Sequence, residues 1–450
     1  MSTSYQPYAP DQDILLPQSL QEWLPAGHLA RYISDVIDTL DLSAFFKRYE
    51  GGGARNQPFH PAMMVKVLVY GYATGVFSSR KIARKLHEDV AFRVLAAGNF
   101  PKHRTLCDFR ALHLNELAAL FVQVVKLAGE CGLVKLGTIA VDGTKLRANA
   151  SKHKAMSYER MQAAEVELKA QVDALLKRAA QADVAEAGEP ELDIPAEIAR
   201  REQRLQAIQA AKQRLEQRQR EADLQRGRTP AVDDDNDAQP PGAGDTPKPE
   251  VRKKPGRAFK RAFSEPEPKA QDNFTDPDSR IMKTSAGFEQ CFNAQTGVDA
   301  HAQIIVAAEL TNCGADSGEL PRMLEVIEHN TGRAPEVALA DAGYRSEAVL
   351  GKLSTSPTEV IVALGREGKK QLGIDAERLP HTAAMAAKLQ SADGRAKYRR
   401  RKAIVEPPNG WIKQVLGFRQ FSMRGLDKAR CEFKLVCAAL NLRRMATMPR

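Results

Sequence analysis

The sequence has no cysteine pair spaced for a metal or a redox motif. Its six cysteines stand at 107, 131, 291, 313, 431 and 437. None forms a C-x-x-C pair, so neither a zinc site nor a disulfide framework is expected. Free, mostly buried thiols in a reducing cytosol are the plain expectation. Long apolar runs are missing too. The most apolar windows, Met63 to Phe77 and Leu117 to Leu127, are short and are interrupted by Lys66 and Lys126, which argues against membrane insertion. Met1 to Asp13 is polar and lacks the basic start and apolar run of a secretory signal. A cytoplasmic location follows.

What is present points toward nucleic acid. The chain has 450 residues, enough for more than one domain. A hydrophobic fraction of 43% suffices for a buried core, and the formal charge of +10 suits a polyanionic partner.

Residues 14 to 132 read as helical. Pro61 opens an apolar stretch, Met63 to Tyr72. Ser78 and Ser79 are expected to cap a second helix, Arg80 to His87, with Ile82, Ala83 and Leu86 on one face. Val90 to Ala97 gives a third short helix after a break at Glu88-Asp89. Thr105, with Asp108 three residues on, is expected to open one long helix through Leu127 that stops near Gly132. The period then changes. Thr138 to Val141 is a short β-branched run followed by Asp142-Gly143, which reads as a buried strand and a turn.

Residues 157 to 224 carry two heptad seams. Met161, Leu168, Val172, Leu175 and Ala179 form one. Ile198, Leu205, Ile208 and Leu215 form the other, after a break at Gly188-Glu189-Pro190. An antiparallel helical hairpin satisfies both. From Gly227 to about Ala270 the chain is rich in Pro, Gly and charge, which predicts a flexible linker. Strand signals return at Phe288 to Val298 and Gln303 to Leu310. A helix at Ser317 to His329, a strand at Glu336 to Ala340, a helix at Glu347 to Leu353 and a strand at Glu359 to Leu364 follow. The tail from Tyr398 is helical and basic. This order gives an α/β fold with a mixed sheet, and it is the order of the RNase H-like fold once residues 150 to 280 are set aside. The expected organisation is a helical N-terminal domain at 1–132, a catalytic core from 133–150 and 275–450, a hairpin insertion at 151–226 and a linker at 227–270.

Two segments share one design. Ile139-Ala140-Val141-Asp142-Gly143 and Val337-Ala338-Leu339-Ala340-Asp341-Ala342-Gly343 each put an Asp after a buried strand. Parallel neighbouring strands lie about 4.8 Å apart, so both carboxylates would emerge at the carboxyl edge where open α/β sheets bind ligands. Such a pair repels unless a divalent cation sits between, and oxygen ligands suit Mg²⁺ or Mn²⁺. A third element runs from Tyr398 through Arg401 to Glu406 and Lys413. Glu406 and Lys413, seven residues apart, share a helix face. Glu406 completes a metal site in this reading, and Lys413 with the Arg cluster holds phosphates. Glu432, in an amphipathic helix, competes for the third carboxylate position. Taken singly, each Asp reads equally well as a turn residue, and the basic helix as a solvated face.

Together these motifs resemble bacterial insertion-sequence transposases of the DDE class. Tyr398-x2-Arg401 and Glu406-x6-Lys413 resemble their Tyr-Arg-Glu-Lys signature. Val-Asp142-Gly-Thr-Lys and Ala-Asp341-Ala-Gly-Tyr resemble their first and second Asp motifs. Thr275 to Lys283, His103 to Arg110 and Arg424 to Lys428 are similar as well, so the likeness spans nearly the whole chain. Two features depart from it. Four residues separate Arg401 from Glu406, one more than is commonest. Glu406 is also followed by Pro407-Pro408-Asn409-Gly410, where an apolar-aromatic pair is usual at 408–409. Proline fits a first turn, so a helix starting at Glu406 is expected, weakened by roughly 1 kcal/mol or more by Asn-Gly.

The resemblance implies catalysis by Asp142, Asp341 and Glu406 with two Mg²⁺ or Mn²⁺ ions, Asp142 bridging them. No protein nucleophile is needed. It implies a double-stranded DNA substrate, the terminal inverted repeats and a target, and a homodimer that holds two ends. Lys145, Arg147 and Lys283 are candidates for the scissile phosphate. Arg80, Lys81, Arg84 and Lys85 of the helix-turn-helix-like stretch Ser79 to Ala97 are candidates for backbone contacts. Three other readings stay open: an inactive relic that binds DNA, a nuclease of the same fold that never joins strands, and a coiled-coil interaction protein.

Overall fold

A computed structural model of the protein describes residues 19–50, 57–184, 194–228, 261–365 and 373–448. The chain divides into two compact units, one of residues 1–149 with 282–450 and one of residues 150–281.

The first unit opens with helices α1 (Leu29–Thr39), α2 (Ser43–Lys47), α3 (Pro61–Ala73), α4 (Ser79–Glu88), α5 (Val90–Leu95), α6 (His103–Leu112) and α7 (Leu114–Glu130). α3 is apolar all round and buries every residue but Lys66, as a central helix must. α4 begins where expected, but Ser78 makes no capping bond through its side chain. The next helix, α5, does have a side-chain cap: Asp89 Oδ1 accepts from the amides of Ala91 at 3.0 Å and Phe92 at 3.4 Å. The single helix expected from Thr105 to Leu127 is two, bent by 71° at His113. Buried Arg110 donates to the Tyr72 hydroxyl at 2.9 Å and the Phe77 carbonyl at 3.0 Å, and the buried His113 ring packs on Phe45 and Phe109. Those contacts tie α6 and the bend to α2, α3 and the loop before α4, while α7 turns to run along the last helix. Among the described residues no single helix is long and apolar enough to cross a membrane.

The sheet is built from β1 (Thr138–Arg147), β4 (Arg280–Thr284), β5 (Gly287–Asp299), β6 (Ile305–Thr311), β7 (Val337–Ala340) and β8 (Glu359–Val362), with the short strands β2 (Ala155–Ser157) and β3 (Gln271–Asn273) lying in the other unit. Its order is β4-β5-β1-β7-β8, and β6 pairs the second half of β5. β1, β5 and β6 are antiparallel, whereas β1, β7 and β8 are parallel. The remaining helices are α10 (Glu319–Thr331), α11 (Glu347–Leu353), α12 (Pro380–Gln390), α13 (Ala392–Arg399), α14 (Arg401–Gly410) and α15 (Leu426–Met445). Three antiparallel strands followed by helix-strand alternation into a parallel half is an RNase H-like core, as the sequence order requires.

Helices cover both faces. Thr296 of β5 donates to Asn409 of α14 at 3.1 Å. The next residue, Gly297, points the other way, and a Cβ there would meet Ile327 of α10 at 2.9 Å. α15 buries most of its length from Glu432 onward against α3, α7 and β6. Its Asn441 satisfies the Ile305 amide at 2.9 Å and the Ile305 carbonyl at 2.8 Å.

The strand β1 corrects the sequence reading. It runs straight through Asp142-Gly143 to Arg147 with no turn. The thirteen-residue β5 supplies a partner for each residue from Ile139 to Arg147, and a continuous ladder overrides the turn preference of Asp-Gly. The cysteines are a second correction. All six are free, but Cys107, Cys131 and Cys313 are exposed.

The second unit is dominated by α8 (Tyr158–Val184) and α9 (Ile194–Gln225), packed as a hairpin. Tyr158, Met161, Leu168, Ile208, Ala211 and Leu215 form its core. Buried Asp272 on β3 takes Arg214 at 2.7 Å and also Arg218. Of the stretch 227–270 read as a linker, 229–260 lie outside the described residues. Arg228 on one side of them donates to Asp223 at 3.1 Å, and on the other the Ala270 amide donates to the Glu267 carbonyl at 2.8 Å.

Candidate active site

The parallel pairing of β1 and β7 decides where the two Asp motifs lie. Val141 pairs with Ala340, so Asp142 and Asp341 follow level residues on adjacent strands, about 4.8 Å apart. Asp341 ends its strand, and its Oδ1 accepts from the Gly343 amide at 2.9 Å. Asp142 stays in the ladder, its Oδ1 accepting from the Gly143 amide at 3.0 Å. Burial pushes the Asp142 carboxyl up to about 6. Arg401 opposes that shift, while Asp341 and Asp316 add to it.

α14 supplies the next side chains. The helix does not start at Glu406 as expected but at Arg401, and it carries Pro407 and Pro408 inside it. Proline at 407 cannot donate to the carbonyl of residue 403. The Ala403 carbonyl instead accepts from the Gln303 side chain at 2.7 Å, which makes the interior proline tolerable. The signature is thus split between two helices. Tyr398 is half-buried on α13 and Arg401 opens α14. Arg401 is 7% exposed; its Nη1 stands 3.9 Å from Asp142 Oδ2, and neither Nε nor Nη1 has a hydrogen-bond partner. After Gly410 the backbone widens into one π-helical turn, Trp411–Val415, a feature frequent at functional sites. Lys413 lies on it. Burial lowers the Lys413 pKa, and Asp142 is the first group that counters this.

Glu406 is exposed on α14. Helical spacing sets it on the same side as Asn409 and Lys413, the first bonded to Thr296 and the second under the field of Asp142. Among the described residues no three Asp, Glu, His or Cys side chains stand close enough to close around one ion. The competitor Glu432 is spent elsewhere. Its Oε1 accepts from the Tyr72 hydroxyl at 2.8 Å and from the Ser422 hydroxyl, its Oε2 accepts from the Ser422 amide at 2.8 Å, and Arg110 lies 3.9 Å away. This buried cluster ties α3 and α6 to α15.

The other basic candidates scatter. Lys145 is within 3.5 Å of Asp316. Arg147 is exposed at the far end of β1, where its backbone pairs with Arg419 and Phe421. Lys283 is exposed on β4, separated from β1 by β5. Arg80 and Lys81 are exposed on α4, while Arg84 and Lys85 pair with Glu88 and Asp89, both at 3.4 Å.

Several residues at this end of the sheet gave no sequence signal. Asp316 lies in a Gly-rich loop before α10 and reads there as a turn residue. Gln295 and Asn293 read as strand positions. In the fold, both amides donate to Asp316 Oδ1, at 2.7 Å and 2.6 Å. Tyr344 donates to Gln295 Oε1, and burial with the carboxylates of Asp316, Asp142 and Asp341 drives its pKa far up, so it remains a neutral donor. Gly143 and Gly343 make room: a Cβ at Gly143 would sit 2.6 Å from Asp316 Oδ1, and one at Gly343 would sit 3.0 Å from Asp341 Oδ1 and 3.3 Å from Asp316 Oδ2.

Two of the expected ligands, Asp142 and Asp341, stand at adjacent strands and carry oxygens of the kind a divalent cation takes. The donors are hard carboxylate oxygens, the glycine cradle keeps side chains out, and the crowded negative charge on half-buried Asp142 is what a cation relieves.

Comparison with known families agrees with the geometry. Residues 18–112 match a model described as Transposase domain (DUF772), and residues 265–442 match one described as Transposase DDE domain. The second match includes Asp341 and Glu406, and Asp142 precedes it. No curated protein and no solved structure matches the chain.

Proposed function

The chain belongs to the DDE transposases of insertion sequences, and from that we propose that it cuts DNA at the ends of its element and joins the freed 3′ hydroxyls to a target. The observation that carries this reading is the level position of Asp142 and Asp341, each just after the last pair, Val141 and Ala340, of the parallel strands β1 and β7. These two carboxylates, with Glu406 brought in from α14, would hold Mg²⁺ or Mn²⁺. A divalent cation there supplies charge neutralisation for the attacking and leaving oxygens.

The chain's own side chains do the positioning. Arg401 at the start of α14 and Lys413 on the π-helical turn after it lie in the field of Asp142 and present positive charge for the phosphate that is cut. The unpartnered Nε and Nη1 of Arg401 are donors suited to phosphate oxygens. Lys145, on the opposite face of β1, serves the same phosphate or its neighbour. Arg80 and Lys81 are exposed on a short helix joined to α5 and provide backbone contacts to the terminal repeats. Two ends must be held at once, so the working species in the DNA complex is a dimer.

The test is strand transfer. Purified protein with Mg²⁺ and duplexes carrying the inverted repeats that flank its coding region should join their 3′ ends to a supercoiled plasmid. Cleavage without joining would identify a nuclease of the same fold. Binding with no metal-dependent cleavage would identify an inactive relic.

A further inference from the structure

The acidic end of the sheet holds one more carboxylate than the triad. Asp316 comes from the loop between β6 and α10 and reaches the β1–β7 edge from the face opposite α14. Its Oδ1 is fully engaged by the Asn293 amide at 2.6 Å, the Gln295 amide at 2.7 Å and Lys145 at 3.5 Å. The Tyr344 hydroxyl holds Gln295 from its other side. Asp316 Oδ2 lies 3.3 Å from the Cβ position of Gly343, and Asp341 Oδ1 lies 3.0 Å from the same point.

A cluster of acids is not a site by itself. The independent observation is Asn293, which is 0% exposed and leaves its Oδ1 without a partner. That oxygen lies 3.1 Å from the Cβ position of Gly143, the same place that Asp316 Oδ1 approaches to 2.6 Å. A buried carbonyl oxygen with no donor is expensive unless something satisfies it. Here it lies at the Gly143 position beside Asp316 Oδ1, where a cation-bound water would do so.

We propose that Asp316 is a fourth carboxylate of the metal-binding end, a positioning residue that strengthens divalent-cation binding and keeps Lys145 beside it. The role rests on the metal-dependent reading above. Asp316 does not close the ion's shell; it acts through the charge it adds, through Lys145, and through water bound to the ion. Outer partners of this kind change metal affinity by about 10- to 100-fold when removed.

The experiment is a Mn²⁺ titration of the full chain without DNA, followed by electron paramagnetic resonance, with a thermal melt of each variant. Asp316→Asn keeps the shape and removes the charge, and should weaken Mn²⁺ binding at least about 10-fold. Asp316→Glu restores the charge and should recover most of the loss. If Asp316→Asn binds Mn²⁺ as the wild type does while Asp142→Asn does not, the proposal is wrong and the metal site stands. Equal losses in the Asn and Glu variants would mark Asp316 as merely structural, and also overturn it. Should Asp142→Asn itself bind Mn²⁺ normally, the reading on which the proposal rests fails, and the proposal with it.

Discussion

Val141 and Ala340 are paired across the parallel strands β1 and β7, and each is followed at once by an aspartate. That register brings Asp142 and Asp341, 199 positions apart in the sequence, to one edge of the sheet. A slip of one residue would turn one of them to the opposite face. The apolar runs Ile139–Val141 and Val337–Ala340, all buried, fix the register from inside the core.

The burial of Asp142 has a pH signature. Its carboxyl sits at about 6 in the fold against an ordinary 3.8, so folding favours the protonated form. The stabilising contribution is complete below about pH 4 and is lost as pH rises through 6. Asp142→Asn should therefore raise metal-free stability by about 2 kcal/mol at pH 7.5 and leave it unchanged at pH 4. Denaturant melts at the two pH values check this, and an equal effect at both would refute it.

Protons and cations compete for the same oxygens. At subsaturating Mg²⁺, DNA cleavage should fall as pH drops through about 6, and added Mg²⁺ should restore it. A loss that excess metal cannot reverse would assign the titration to another group.

Glu432 and Glu406 should separate cleanly. Glu432→Ala removes one partner from the buried cluster with Tyr72, Arg110 and Ser422 and should cost about 3–5 kcal/mol. Glu406 is exposed, and Glu406→Ala should change stability by less than about 0.5 kcal/mol while abolishing cleavage. A stable Glu432→Ala protein that binds DNA but cannot cut it would reverse the assignment.

The parts of the molecule legible in its sequence are those written in local pattern. The strand-helix alternation, the hairpin seam at Met161, Leu168, Ile208 and Leu215, and the two Asp motifs all carry periodic apolar signals. Tertiary pairing decided the rest. Asp142-Gly143 reads as a turn because nothing local announces that β5 continues opposite it. The helix through Pro407 reads as one that starts at Glu406, because nothing local shows that Gln303, 100 residues away from Ala403, takes the carbonyl the proline leaves free. The bend at His113 follows from Arg110 reaching Tyr72 and Phe77. Asp316 was invisible because its meaning lies in Asn293 and Gln295, two strand residues that look unremarkable in sequence.

Gly143 is required by this crowding. A methyl group there would lie 2.6 Å from both Asp316 Oδ1 and Gln295 Nε2. Gly143→Ala should cost about 1–3 kcal/mol and depress cleavage by displacing Asp316. Wild-type stability and activity in this variant would show that the loop before α10 yields easily.

DNA affinity should fall steeply with salt. Each phosphate neutralised contributes roughly 0.9 to the slope of log affinity against log salt. Changing Arg80 and Lys81 together to Gln should lower that slope by up to about 1.8, as measured by fluorescence anisotropy over a salt series. An unchanged slope would remove α4 from the DNA-binding surface.

The most direct measurement of the central claim is Mg²⁺-dependent cleavage of end-repeat DNA by the wild type, Asp142→Asn and Asp341→Asn, with DNA binding recorded in parallel. The level position of the two carboxylates just beyond the parallel pairing of β1 and β7 requires that either substitution abolish cleavage while binding persists. Cleavage by both variants at the wild-type rate would contradict it.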